Sequence, residues 1–527
     1  MTDKSIRGSG GPPPTPPAPY RAPDTLNSRQ FATIQDLLSE GEIEGFATAS
    51  KEGRTKGTTA YNNAALKDIF LNETPILKAT ANSASPADAD FNFQNVGFTP
   101  RFGTSNQTAI PGIVSSESTT GVGVTVSASS AVTRQITNTS VDAIKVTITF
   151  PQLQKAEDNG DLVGSSVSLK VQVQYNSGGY SDVISDTITG RSADAYQKEY
   201  RVNVTGAFPV DIRVVRVTAD STSSALVDAF TWTSFGEIVD DASTYVNSAY
   251  SNLRIDSEQF SSIPKRAFRI RGVKVRIPGA GASSSGTPTV DLQTGRIIYP
   301  ANYIFNGTMG AAQWCSDPAM ILLDLLTTER YGFGTHITDA NIDLFSFVAA
   351  SKYANELVSD GFGGQEARFS CNVNIQSAKE AFELIKDLAS VMRCMATWSA
   401  GSITITQDKP TDSSYLFSLA NITSEGFSYS GSSLKQRHSV VSVGYLNMDS
   451  REIDFEIVED TTAQNKLGIV KKDVKAFACT SRGQAQRLGK AILFSEQQES
   501  EVISFSTSMD AGAIVRPGSV ITVNDPV

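Results

Sequence analysis

Apolar and polar residues alternate in "AIKVTITF" (143–150), "SSVSLKVQVQY" (165–175) and "DIRVVRVTA" (211–219). A period of two sends every second side chain to one face and predicts half-buried strands. Through residues 80 to 250, where Ser, Thr, Val and Asp dominate, their spacing is that of a β-sandwich or barrel. "EDNGDLVG" (157–164) and "SGGY" (177–180) read as turns between such strands. Elsewhere the period changes. "LNSRQFATIQDLLSEGEIEGF" (26–46) places Phe31, Ile34, Leu37 and Leu38 at helical spacing, with Ser28 or Asn27 as cap and Gly41 as stop, and predicts a short helix. "LKDIFLNETPI" (66–76) predicts a strand, a turn and a strand. "RIRGVKVRIP" alternates again and puts Arg269, Arg271, Lys274 and Arg276 on or near one strand, read as a solvated sheet face that an acidic partner could also use.

Three helices follow. "SDPAMILLDLLTTERYGFG" opens with Asp317 as cap and Pro318 at the first helical position and is expected to end near Gly332. "TDANIDLFSFVAASKYANELV" is capped by Thr338, with Ile342, Phe345, Ala349 and Tyr353 inward. "SAKEAFELIKDLASVMRCM" carries a Ser377/Glu380 capping box and a buried face of Phe382, Ile385, Leu388, Ala389 and Met392. Beyond them, "GSITITQ", "SVVSVGYLN", "VISFSTSM" and "SVITVNDPV" predict strands around the helix "TSRGQAQRLGKAIL". A last strand that stops at Val527 without a return partner predicts a longer natural chain.

Composition narrows the classes. A chain of 527 residues predicts three to five domains, and 40% apolar with 19% charged residues is a globular balance. A net charge of −10 without a basic face argues against specific nucleic-acid binding. No apolar run is long enough to cross a bilayer, and "MTDKSIRGSGG" lacks the apolar core of a secretory signal. The proline run within residues 1–27 predicts an extended arm, free or docked on a neighbouring subunit. Cys315, Cys371, Cys394 and Cys479 lie far apart and read as reduced, buried small hydrophobes, which suits synthesis in a reducing cytoplasm.

The stretch "VSDGFGGQEARFSCNVNI" (358–375) brings Asp360, Glu366 and Cys371 together around a glycine turn. It reads as architecture: a turn, then a strand with Phe369, Cys371 and Val373 inward, seating the helix Ser377–Met395, while Glu366 and Arg368 face solvent or pair locally. The two histidines, His336 and His438, have no nucleophile or carboxylate motif beside them. "GAGASSSG" (279–286) reads as a flexible hairpin connection, since no helix follows to make a phosphate site. No catalytic, cofactor-binding or metal-ligating residue is assigned, and no cofactor is expected.

Ten short motifs in order across residues 25 to 527 carry a family resemblance. They include "LLSEGEIEGF", "IFLNETPI", "FTPRFGTSNQTAIPG", "RIIYPANYIFNGT", "WCSDPAMILLDLLTTERYGFG", "VSDGFGGQEARFSCNV" and "CTSRGQAQRLGKAIL". The chain resembles the tail tip attachment (host-specificity) protein J family of lambda-type siphophages. It departs in its proline-rich arm and in "VRIPGAGASSSGTPTVD". The resemblance implies an α+β, β-rich multidomain fold: hub β-barrel domains, an inserted β-sandwich-like module and a small helical α+β domain. On that reading the chain divides into an arm (1–27), an N-terminal hub segment (28–80), the inserted module (81–250), a hub continuation (251–316), an α+β hub domain (317–420) and a second hub β domain (421–527). The partners implied are two further copies in a homotrimer, the hexameric distal tail protein, other tail tip proteins and the tape-measure C-terminus in the lumen. The host receptor would be met through a C-terminal region not in this sequence. Two competing readings are a virion-associated cell-wall polysaccharide hydrolase, which requires two close carboxylates in an open groove, and a purely adhesive β-sandwich protein.

Overall fold

A computed structural model describes residues 19–526 apart from 29–30, 111–114, 241–242, 261, 378–379, 400, 432–436 and 500. The proline run before Pro19 and the terminal Val527 lie outside the described residues. Phe31–Glu40, expected as a helix, is a strand. It pairs antiparallel with Ser248–Asp256, from Phe31 opposite Asp256 to Glu40 opposite Ser248, with an irregularity between Leu37 and Ser39. Gly97–Phe102 lies along the other side of Ser248–Asp256. Ladder pairing outweighs the helical spacing here: Ala32, Ile34 and Leu38 pack on a core with Leu253 and Ile255, while Leu37 is exposed. The hairpin Ile69–Leu71 with Thr74–Pro75 matches its expectation and closes the same core.

Between Phe102 and Ser248 the chain builds two four-stranded antiparallel sheets. One runs 181–190, 165–175, 210–216, 132–136; the other runs 196–203, 143–150, 231–240, 115–125. Their alternating residues, among them Val146, Ile148, Val171, Val173, Ile212 and Trp232, face each other as a single core. Inside it Arg216 pairs with Asp228 at 2.7 Å. The first and last strands are neighbours, with Ser115 opposite Asp240, so the sandwich enters and leaves at one place. Residues 19–28 run extended over this module of their own chain: Tyr20 N–H donates to Asp161, Ala22 N–H to the Leu162 carbonyl at 2.9 Å, and Arg191 meets Asp24 at 2.8 Å.

The next core holds the three helices, observed as Pro318–Thr327, Leu344–Ala354 and Ala381–Val391. Asp317 caps the first as expected, accepting from Met320 N–H at 2.8 Å. That helix stops at Thr327 rather than near Gly332, because the chain turns back over its end and Phe333 N–H takes the Leu325 carbonyl at 2.9 Å. The second begins at Asp343, and the Thr338 box closes a separate short turn with Asn341. Its buried stripe is therefore Phe347, Ala350, Ser351 and Ala354, with Phe345 and Ala349 exposed. In the third, Glu380 stands at the cap without a side-chain bond, so the Ser377/Glu380 box does not form. Leu384, Leu388, Ala389 and Met392 are buried, whereas Phe382 points out. Below these caps Asp317 also accepts from Ser351 and Asn355, Ser351 bonds Tyr299 at 2.6 Å, and Asn355 takes Ile297 N–H at 2.8 Å.

The C-terminal part contains a sheet ordered 453–459, 440–446, 471–475, whose second pair is parallel. Helix Arg482–Gln498, capped by Ser481, covers one of its faces. Two small pairs, 415–418 with 521–524 and 428–431 with 501–504, complete the chain. The fold is β-rich, α+β and multidomain. Among the described residues no sheet has more than four strands, too few to close, so the barrel form implied by the resemblance is not built by these strands.

Two outcomes follow from this packing. Replacing 115–240 by a short glycine linker leaves the remaining units folded, checked by circular dichroism and a cooperative melt; loss of all soluble protein contradicts it. Asp317→Ala removes a cap and the buried acceptor that Ser351 and Asn355 share, and lowers stability by roughly 2–4 kcal/mol in urea unfolding.

Candidate functional site

The glycine turn is built by its carboxylate. Leu357–Ser359 pairs with Gln365–Ala367, and Asp360 Oδ1 accepts from Phe362 N–H at 2.8 Å and Gly364 N–H at 2.9 Å. Those two donors hold the Asp360 carboxyl below the usual carboxylate range. The turn needs φ of 83° at Gly361 and 99° at Gly363, which side chains with a Cβ resist. Glu366 leaves the hairpin to pair with Arg487 at 2.8 Å and to accept from Ser481. Arg487 also donates to the carbonyls of Ser359 and Arg368, at 3.1 and 2.9 Å. Gln484 binds both backbone groups of Ser370, accepting at 2.9 Å and donating at 3.1 Å. Arg368 pairs locally with Glu356 at 2.7 Å.

The hairpin therefore seats helix Arg482–Gln498, not the expected Ser377–Met395. Phe369 and Cys371 are buried in the core that also takes Leu384 and Leu388. However, residues 368–376 form no strand and Val373 is exposed, because Cys371 and Asn372 spend their N–H groups on the carbonyls of Ser316 and Ala478, in two different segments. Sequence reasoning missed this seam. Its signal is a glutamine and an arginine on the packed side of an amphipathic helix.

Burial pushes the Cys371 thiol up to about 12 and the Cys479 thiol up to about 11, far from the thiolate a nucleophile requires. All four cysteines are free thiols. His438 is held by Glu496 at 2.9 Å, and Lys472 shares that carboxylate at 2.8 Å; His336 is exposed. Among the described residues neither histidine bonds a serine, threonine or cysteine, and no group of His, Cys, Asp and Glu is arranged for a metal ion. "EDNGDLVG" is a turn in which Asp161 accepts from Tyr20 and Asn159. "GAGASSSG" closes by Gly281 N–H to the Gly286 carbonyl at 2.7 Å.

The four cations at 269–276 do not form a solvated face. Arg269 meets the buried Asp68 at 2.8 Å, Lys274 meets Glu42 at 2.7 Å, and Arg276 chelates Asp339 with two bonds of 2.8 Å. Arg271 is buried and stacks on Trp314. The segment is two short strands, Ile270–Val273 and Val275–Pro278, in separate sheets rather than one, and the carboxylates that answer its cations are far away in sequence. Arg276 and Asp339 line an open cleft of about 400 Å³ with Asp324 and Glu329. Burial raises Asp324, whereas Arg276 lowers Asp339, a separation of the kind an acid and a base need. Both are already engaged, Asp324 by Tyr331 at 2.6 Å and Asp339 by Arg276.

With the polar groups placed, the relatives can be set beside them. A family model described as "Tip attachment protein J, FNIII-A domain" matches residues 116–241, the two-sheet sandwich. Another, described as "Putative phage tail protein", matches 380–527. The tip attachment protein J of Escherichia phage SECphi27 is 30% identical over 528 residues, spanning 100% of this chain and 41% of its own length. Along its whole length the chain is similar to tip attachment proteins J of lambda-type phages. The protein of the same name from Escherichia phage SECphi4 is 31% identical and spans 98% of this chain and 42% of its own. The chain thus covers about two-fifths of the curated relatives it matches. A solved xylan-binding CBM22-1 domain of Paenibacillus barcinonensis Xyn10C covers 28% of this chain and 88% of its own at 12% identity, but its TM-score of 0.15 carries no argument.

The thiols give a test. At pH 8 a pKa near 12 in place of 9.0 leaves Cys371 about a thousandfold less thiolate. Ellman's reagent should therefore leave Cys371 unlabelled in the folded chain and label it in guanidinium. Cys371→Ser should cost roughly 1–3 kcal/mol in unfolding experiments.

Proposed function

We propose that this chain forms the central hub of a phage tail tip, as a homotrimer in the virion. It joins the hexameric distal tail protein and other tail tip proteins to the receptor-binding part of the full-length protein. Its lumen holds the tape-measure C-terminus until genome ejection, and host attachment passes through a C-terminal region beyond these residues. The segments follow the boundaries set out from the sequence: arm 1–27, hub segments 28–80 and 251–316, module 81–250, α+β domain 317–420 and β domain 421–527. The role is structural, with no reaction, cofactor or metal. One observation carries this reading: an uninterrupted match along the chain to two tip attachment proteins J. The polar inventory supports it, since Asp317, Glu366, the buried Cys371 and His438 are occupied as cap, seam, core and ion pair.

The hydrolase reading rests on the Asp324–Asp339 cleft. Asp339 is ion-paired with Arg276 and Asp324 accepts from the Tyr331 hydroxyl, so the purified chain should release no reducing sugar from host wall polysaccharide. A release that Asp324→Asn and Asp339→Asn each abolish would establish the enzyme instead. Native mass spectrometry of the 527-residue chain should give three copies; a stable monomer or hexamer contradicts the hub.

A further inference from the structure

The sandwich is fastened to the rest of its chain at three places. Two are its necks, which leave the ladder after Phe102 and rejoin it at Ser248. Gln107 collars them. Its amide N–H groups donate to the carbonyls of Thr244, Tyr245 and Ser248 at 3.0, 2.6 and 3.0 Å, and its carbonyl accepts from Gly103 N–H at 2.9 Å. The third fastening is the arm, residues 19–28. Only residues 29 and 30 separate its Ser28 from Phe31 on the ladder.

Register puts these fastenings at opposite ends of the ladder. Phe102 lies opposite Ala249 and Glu40 opposite Ser248, so the necks meet the Ser248 end. Phe31, which the arm enters, lies opposite Asp256. A strand running from Ser248 to Asp256 is about 26 Å long. From Ser28 to Phe31 the chain spans at most about 11 Å. With its arm docked, the sandwich is therefore pinned near both ends of the ladder. Held by its necks alone, it has a single pivot.

The groove that takes the arm is shaped for it. Leu162 N–H donates to the Tyr20 carbonyl at 2.8 Å, and Thr25 N–H takes the Arg191 carbonyl at 2.9 Å. The Arg191 side chain, only 8% exposed, donates to the Ala22 carbonyl at 2.6 Å and to Asp24 at 2.8 Å. Ser28 Oγ accepts from Gln197 N–H at 3.0 Å. Gly190 leaves the room, since a Cβ there would stand 2.5 Å from Thr25 Oγ1 and 2.9 Å from Leu26 Cγ. Among the described residues, the hydrogen bonds that reach residues 115–240 from elsewhere in the chain come from this arm. Yet the arm is lightly held. Leu26 packs on the sandwich core, but Tyr20 is 59% exposed and every other arm residue except Ala22 is exposed too. Solvent-exposed backbone bonds with little buried apolar area belong to segments that open far below the free energy of global unfolding.

We propose that residues 19–28 are a releasable latch. Docked, they lay the sandwich along the ladder; peeled off, they leave it to turn about the Gln107 collar. The inference concerns a single protomer and stands whether or not the chain is a trimeric hub.

The test uses the full 527-residue chain with donor and acceptor dyes on azido residues placed at Leu37 and Val183, exposed positions on the ladder and the sandwich. The labelled chain is mixed with excess unlabelled chain, so that each assembly carries one dye pair. Single-molecule transfer should show one narrow major state. Asp24→Lys with Leu26→Asp, and separately removal of residues 1–28, should replace it by a broad distribution. Hydrogen exchange reads the latch itself. In the wild type the amides of Leu162, Thr25 and Gln197 should exchange roughly tenfold or more faster than those of strand Ala143–Phe150. The variants should speed Leu162 and Gln197 further and leave 143–150 unchanged. If the armless chain keeps the narrow state, the arm does not hold the sandwich and the proposal fails. If the arm-bonded amides of the wild type exchange no faster than 143–150, the arm does not release and the proposal fails. If the variants deprotect 143–150, the arm is part of the sandwich fold, and the latch is overturned.

Discussion

The strand Ser248–Asp256 is the constraint on which the rest depends. It is buried along nearly its whole length and carries Phe31–Glu40 on one edge and Gly97–Phe102 on the other. Everything between Phe102 and Ser248 must return to that ladder. The sandwich can, because its first and last strands are neighbours and its two exits lie together. Loop-closure entropy grows only with the logarithm of length, so an independently cored module costs the ladder little more than a short loop would. The ladder's end also anchors the helical unit: Arg330 meets Glu40 at 2.6 Å and donates to Ser248 at 2.7 Å.

Charge pairs tie together segments that lie far apart in sequence. Asp68 with Arg269, Lys274 with Glu42, Arg276 with Asp339 and Glu366 with Arg487 each pair residues from distant segments. Burying such pairs adds little net stability, because desolvation offsets the attraction, but a mispaired alternative leaves a charge stranded. Burial accordingly raises Asp68 and Asp317, and hydrogen-bond donors pull each back. The same commitment holds around the glycine turn, where backbone donors engage Asp360 and Arg487 engages Glu366.

Legibility followed the range of the deciding interaction. The sandwich strands 143–150, 165–175 and 210–216 were readable because their partners share the same local alternation. Asp317–Pro318 was readable because a cap acts over three residues. Phe31–Glu40 was not, since its partner strand lies on the far side of the sandwich. The helix faces at Phe345 and Phe382 were misassigned by taking Ile342 and Ser377 as parts of helices that begin later. At the candidate site the turn was legible from Asp360 and its glycines, but its target was not, because Gln484 and Arg487 are more than a hundred residues downstream.

Exposed apolar residues are distributed unevenly, and that bears on what the fold is for. In the sandwich the large side chains Phe150, Phe230 and Trp232 are fully buried, and the module satisfies itself. In the C-terminal half, Phe382, Phe455, Ile469, Phe494, Val502 and Met509 are all exposed by more than half. A net charge of −10 opposes non-specific association by repulsion, which tolerates apolar surface without explaining it. Burial of apolar area is thus complete in the sandwich and incomplete on these C-terminal side chains, the kind of patch that marks interaction surfaces.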